Sequence, residues 1–178
     1  NLLKAFAGES QARTRYNFFA SQASKDGYEQ IAAVFDTTAN QEKEHAKRFF
    51  KYLEGGMATI HHATFPAGII LSTRDNLLAA AEGEHEEWDM LYRGFAETAQ
   101  AEGFTKIAAT FRHVEKEHER RYLKLLSRLT DGDFFRRDGE IMWQCRNCGY
   151  IIRASVAPKL CPSCEHPQKY FEPMADNY

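Results

Sequence analysis

Apolar residues recur in steps of three and four along four stretches, which predicts helices over about 1–25, 28–54, 75–101 and 104–130. Asp26-Gly27, Gly55-Gly56, Gly103 and Asp131-Gly132-Asp133 supply the stops. The first stripe reads Leu2, Phe6, Glu9, Ala12, Tyr16, Phe19, Ala23, and the second Ile31, Phe35, Thr38, Glu42, His45, Phe49, Leu53. The third reads Leu77, Ala81, Glu84, Glu87, Leu91, Phe95, and the fourth Phe104, Ile107, Phe111, Glu115, His118, Tyr122, Leu125, Leu129. Each stripe is interrupted near its middle by glutamate, where a core residue is expected.

An internal repeat sets the order of these helices. The run Gly27-Tyr28-Glu29-Gln30-Ile31-Ala32-Ala33-Val34-Phe35 parallels Gly103-Phe104-Thr105-Lys106-Ile107-Ala108-Ala109-Thr110-Phe111, and Gln41-Glu42-Lys43-Glu44-His45 parallels Val114-Glu115-Lys116-Glu117-His118. Two copied hairpins joined by a long connection containing Pro66 and Gly68 have the connectivity of a ferritin-like four-helix bundle. The fold expected is therefore mainly α. Composition narrows the setting: 43% hydrophobic and 27% charged residues describe a folded chain. A net charge of -2 without a Lys/Arg run argues against nucleic acid or an anionic membrane as partner. No apolar run approaches the ~20 residues that span a bilayer. The opening Asn1-Leu2-Leu3-Lys4 is neither a basic leader nor an initiator Met, which reads as the trimmed or partly ordered start of a cytoplasmic protein.

The misplaced glutamates carry the chemistry. An unpaired buried carboxylate costs several kcal/mol, and five of them would exceed the ~5–15 kcal/mol net stability of a domain. Two divalent cations would set +4 against the -5 of Glu9, Glu42, Glu84, Glu87 and Glu115. In Glu42-x-x-His45 and Glu115-x-x-His118 the side chains lie one turn apart on one face, so a carboxylate can bridge two metals while an imidazole caps one. One such pair on a charged helix is usually a solvated face. Two, in repeated hairpins and centred on apolar stripes, match the dimetal pattern of bundles. Oxygen and nitrogen ligands suit iron, manganese or zinc, with iron or manganese favoured by the carboxylate majority. Tyr16 and Tyr92 read most simply as core aromatics. His85 and His113 lie off the stripes and read as surface residues.

A second metal signal closes the chain. Cys145, Cys148, Cys161 and Cys164 form two Cys-x-x-Cys knuckles, in a tail that holds four of the five prolines. So small a tail needs a tetrahedral metal on four thiolates for its stability. The residues alone lean slightly toward zinc, with Trp143, Tyr150, Tyr170 and Phe171 as an apolar cover. The expected organisation is a bundle over 1–130, a linker over 131–139 and a four-cysteine domain over 140–178.

Together, Gly8-Glu9-Ser10-Gln11-Ala12-Arg13, Glu42-x-x-His45, Gly83-Glu84-x-x-Glu87, Glu115-x-x-His118 and Cys145-Arg146-Asn147-Cys148-Gly149-Tyr150 closely resemble the rubrerythrins over essentially the whole chain. The resemblance implies a rubredoxin-like tail with one iron on four cysteines, which reverses the lean toward zinc and leaves zinc or manganese as substitutes. It implies diiron ligands at Glu9, Glu42, Glu84, Glu87, Glu115 and His118, with Glu42 and Glu115 as bridges and Glu84 or Glu87 exchangeable. His45 would replace a carboxylate on reduction, and Tyr16 and Tyr92 would supply hydroxyls behind the ligands. The implied activity is a cytoplasmic, protective peroxidase that reduces hydrogen peroxide to water at a diferrous pair. Electrons would come from a donor such as rubredoxin or an NAD(P)H-dependent reductase. They would pass through the partner subunit's tail iron in a homodimer or larger homo-oligomer. Two other readings use the same residues: a ferroxidase-like iron-handling protein, and a non-enzymatic zinc-ribbon module.

One departure stands out. The repeat is offset by 76 residues at Phe35 and Phe111 but by 73 at Glu42 and Glu115. Glu115 would therefore sit about one turn, ~5 Å, from its expected height. We expect a break of three residues between about Arg112 and Glu115, against which unbroken helical geometry through Val114-Glu115 would count.

Overall fold

A computed structural model describes residues 1–113 and 117–176. Helix α1 (Leu2–Asp26) packs along α2 (Glu29–Phe50) as the first hairpin. The second hairpin comprises α3 (Thr73–Glu86), a π-helical turn (Glu87–Leu91) and α4 (Tyr92–Ala101), followed by α5 (Thr105–His113) and α6 (Glu117–Thr130). Both hairpin turns close alike: the Tyr28 N–H reaches the Ala23 carbonyl at 2.9 Å and the Phe104 N–H the Ala99 carbonyl at 2.8 Å, the bond that seals a Schellman end. The repeated Gly-aromatic pair thus has a structural meaning. The break expected between Arg112 and Glu115 lies largely outside the described residues, as does Glu115 itself.

Two helices depart from expectation. Helix α2 stops at Phe50 rather than 54, because Tyr52 and Leu53 donate to Phe49 and Phe50 in tight three-residue steps that end the α-ladder. The third predicted helix is interrupted by the π-turn. Its buried positions run Leu77, Ala80, Ala81 and Glu84, then resume at Tyr92, Ala96 and Ala99, one residue later than the Leu91 and Phe95 of a continuous α-stripe. Leu91 is accordingly exposed, as is Phe104, expected to open the fourth stripe. A wide turn accommodates one extra residue within the helix.

The crossover ends on a built anchor. The Ser72 hydroxyl caps the Asp75 N–H, the Asp26 carboxylate takes the Thr73 N–H at 2.9 Å, and the buried Asn76 side chain exchanges two hydrogen bonds with the Leu71 backbone. Aromatic packing fills the bundle on either side of the glutamates. Tyr16, Phe19, Phe35 and Tyr122 lie toward one end, and Phe49, Tyr92 and Phe111 toward the other.

The tail is a three-stranded antiparallel sheet of order β2-β1-β3, from β1 (Arg136–Cys145), β2 (Ile151–Val156) and β3 (Phe171–Pro173). Strand β1 begins within the 131–139 segment read as linker. Phe134 is buried in the bundle core, and Phe135 packs against both the bundle and the tail clusters. Among the described residues no helix is long and apolar enough to cross a membrane.

Candidate metal centres

Four bundle elements bring three glutamates and a histidine together. Glu9 (α1), Glu42 (α2) and Glu84 (α3) are all buried, and His118 (α6) is 1% exposed. Their atoms form two three-ligand groups, Glu9–Glu42–His45 and Glu42–Glu84–His118, in which one ligand atom from each residue lies within 4.8 Å of the others. Glu42 belongs to both. One of its oxygens stands 2.9 Å from His45 Nδ1 and the other 2.8 Å from His118 Nδ1, so the carboxylate turns one oxygen to each half of the site. His118 Nδ1 also lies 3.3 Å from Glu84 Oε2, and His45 Nδ1 lies 3.7 Å from Glu9 Oε2.

Hydroxyls hold the outer carboxylates. Tyr16 donates to Glu84 Oε1 and Tyr92 to Glu9 Oε1, each at 2.5 Å, leaving the opposite oxygens facing the imidazoles. The remaining oxygen of Glu9 is buried with no hydrogen-bond partner among the described residues. An orphaned carboxylate oxygen of this kind, aimed among acceptors and imidazole nitrogens, fits a cation. Glu87, in the π-turn, is half-buried at the edge of the cluster, on a cavity of about 310 Å³ between α1, α3 and the crossover that Lys4, Gln11 and Arg15 also line.

Without metal, protons take over part of the compensation. Burial alone would lower the imidazoles, but Glu42 and Glu9 hold His45 up at about 10, and Glu42 and Glu84 hold His118 at about 9. Burial pushes Glu42 upward too, yet its hydrogen bonds from His118 and His45 win and bring it to about 2. Burial keeps Glu9 and Glu84 above the usual carboxylate range, and burial with the Glu84 and Glu42 charges places Glu87 at about 7 despite a Tyr92 hydrogen bond. Burial likewise lifts Tyr16 and Tyr92 well above an ordinary phenol, so both remain donors.

Of the expected residues, Glu9, Glu42, His45, Glu84 and His118 come together, Glu87 lies outside both groups, and Glu115 lies outside the described residues. His85 and His113 are exposed, His85 with its Nδ1 3.2 Å from Glu119. Two residues of the site were missed by the stripe argument: Gln41, 3.0 Å from His118 Nε2, and Arg121, 2.9 Å from the Gln41 oxygen. The available signal was a polar Gln41 where the repeat carries an apolar Val114.

In the tail, Cys145 and Cys164 Sγ lie 3.8 Å apart and Cys148 and Cys161 Sγ 3.6 Å apart, with no disulfide. A tetrahedron with metal–sulfur bonds of ~2.3 Å has edges of ~3.8 Å, so the thiols already stand at ligand spacing. Trp143 and Phe171 are buried beneath them, with Tyr150 and Tyr170 packed against that cluster. The knuckles repeat in the backbone: Gly149 donates to the Cys145 carbonyl and Glu165 to the Cys161 carbonyl, both with positive φ.

The family pattern described as rubrerythrin matches residues 1–126, and that described as the rubrerythrin rubredoxin-like domain matches residues 143–172. Rubrerythrin from Porphyromonas gingivalis (strain ATCC BAA-308 / W83) is 67% identical, covering 100% of this chain and 90% of its own length. Rubrerythrin from Nitratidesulfovibrio vulgaris (strain Hildenborough) is 50% identical, covering 100% and 94%. Both aligned stretches run to 181 residues against the 178 of this chain, an excess equal to the shortfall in its repeat. The structure of fully reduced, all-ferrous nigerythrin superposes with a TM-score of 0.65 at 31% identity, over 98% of this chain and 85% of the other. The chain belongs to the rubrerythrin family, whose members are iron-dependent oxidoreductases with a diiron site and a rubredoxin-like site.

Proposed function

We propose that this protein is a non-haem diiron peroxidase that reduces hydrogen peroxide to water, with electrons relayed through iron on Cys145, Cys148, Cys161 and Cys164. The observation that carries this reading is the pair of three-ligand groups sharing the buried Glu42. The proposed ligands are Glu9, Glu42, His45, Glu84, Glu87, His118 and, from the sequence, Glu115. Two ferrous ions held by these residues would supply one electron each, enough with two protons to turn one peroxide into two waters.

The chain's own residues prepare the site for that work. Tyr16 and Tyr92 fix the outer carboxylates by short hydrogen bonds, and the aromatic clusters on both sides exclude bulk water. Glu87 faces the 310 Å³ cavity, which is wide enough for a small polar substrate to approach between the ligands and Arg15.

The domain limits proposed are 1–130 and 140–178, and the setting proposed is cytoplasmic. Lys169, five residues past Cys164, pairs with Glu29 at 2.7 Å, at the start of α2. Glu42 stands thirteen residues further along that helix, ~20 Å away. This separation within one chain favours delivery of electrons from the tail of a partner subunit, hence a homodimer or larger homo-oligomer. A rubredoxin or an NAD(P)H-dependent reductase would recharge the tail.

Metal analysis and visible spectra followed by anaerobic peroxide titration of the reduced protein test the proposal. The expected result is three electrons per chain returned to peroxide, so that about three peroxides are consumed for every two chains as both the dimetal site and the thiolate-bound iron are reoxidised. A colourless protein with stoichiometric zinc and no iron, or reduced protein inert to peroxide, would overturn it.

A further inference from the structure

The repeat gives the two imidazoles equivalent places in sequence, yet they are held differently. The His45 side chain is 23% exposed, whereas that of His118 is 2% exposed and backed by a polar chain. His118 Nε2 lies 3.0 Å from Gln41 Oε1, and the same oxygen lies 2.9 Å from an Arg121 guanidinium nitrogen. That nitrogen also donates to Thr38 Oγ1 at 3.2 Å, and the Thr38 hydroxyl is itself tied to the Val34 carbonyl at 3.0 Å.

Donor and acceptor identities then decide the arrangement. A guanidinium only donates, so Gln41 turns its amide oxygen, not its nitrogen, toward Arg121. An amide oxygen only accepts, so His118 Nε2 carries the hydrogen facing it. The neutral ring is left with its lone pair on Nδ1, the atom 2.8 Å from Glu42 and 3.3 Å from Glu84.

We propose that Gln41 and Arg121 are positioning residues that fix His118 as an Nδ1 metal ligand, through Nε2–H donation to the Gln41 oxygen. The inference rests on the dimetal reading of the site and adds to it an asymmetry between its halves. Gln41 suits this place because its neutral acceptor adds no further negative charge to the cluster. Arg121 selects the face of the Gln41 amide.

The test uses the full chain with its four-cysteine site filled by zinc, titrated with Mn(II) and followed by the magnetic resonance signal of the free ion. Gln41→Leu is expected to weaken one of the two Mn(II) sites ~10–100-fold, the usual effect of losing a partner behind a ligand. Gln41→Glu, which keeps an acceptor, should recover most of that loss. Arg121→Leu, at a partly exposed position, should weaken the same site by a smaller factor. In zinc-filled protein, nitrogen–proton spectra should show a slowly exchanging His118 Nε2–H in the wild type and lose it in Gln41→Leu. Wild-type affinity in both Gln41→Leu and Arg121→Leu, or a retained Nε2–H signal in Gln41→Leu, would overturn the assignment. Failure of the wild type to take up Mn(II) would instead remove the dimetal reading, and this inference with it.

Discussion

Filling the bundle site should expel protons, and the minimum number follows from its geometry. In the metal-free cluster His45 is held at about 10 and His118 at about 9, so both rings are protonated at pH 7.5. Each must give up a proton to become a ligand. Glu87, at about 7, adds a fraction of one, and Glu9 and Glu84, held up by burial, add to it. Two protons is therefore the lower bound. Two displaced protons make the apparent affinity for the metal pair fall ~100-fold for each pH unit below about 9, or ~2.7 kcal/mol per unit. The assay is calorimetric titration with Mn(II), the tail already zinc-filled, in two buffers of different protonation enthalpy at pH 7.5. Release of clearly fewer than two protons would refute the reasoning, because it would mean that at least one imidazole is neutral beside the buried carboxylates. The same values fix the alkaline behaviour of the metal-free protein. An imidazole whose pKa is raised by folding stabilises the fold fully below pH ~6.5, and that contribution disappears as pH rises through about 9–10. Metal-free protein should thus lose thermal stability over that window, and metal-filled protein should not.

Other substitutions address separate parts of the molecule. Glu165→Gly should raise the stability of the metal-filled tail by up to ~1 kcal/mol in chemical denaturation, since Glu165 holds a left-handed φ of 57° that glycine adopts freely. Phe35→Ala, which empties a fully buried site among Tyr16, Phe19 and Tyr122, should cost ~3–5 kcal/mol, and a loss below ~1 would contradict the packing. Tyr92→Phe removes the only described donor to Glu9 Oε1, and should cost ~1–3 kcal/mol in metal-free protein, read as a lowered melting temperature, with less effect once metal is bound.

The helices and the buried charged cluster were legible because burying charge contradicts the ordinary logic of an apolar stripe. Glu9, Glu42, Glu84 and His118 stand out on a 3.6-residue period without any coordinates, and the two Cys-x-x-Cys pairs need no period at all. The register beyond Glu87 was not legible. Regular periodicity placed Leu91 and Phe95 inward, and only the wide turn transfers that role to Tyr92 and Ala96. Gln41 and Arg121 escaped for another reason: their partners lie across the bundle, at sequence separations of 77 and 80, where a helix-face argument has no reach. The end of α2 was missed because Leu53 continues the apolar pattern past the tight turn that ends the helix, and still faces Leu3 and Phe111 across a cavity.

The five-residue wide turn at Glu87–Leu91 has a consequence for how this sequence can change. Since the inward positions before and after it agree only if one residue is discounted, the third helix carries one amino acid more than its packing requires. Deleting a single residue there would let an ordinary spiral run straight through with Tyr92, Ala96 and Ala99 still facing inward. What would be lost is the setting of Glu87. The surplus residue thus sets Glu87 at its cavity rather than serving the fold, and a shortened variant would keep its shape while surrendering that carboxylate.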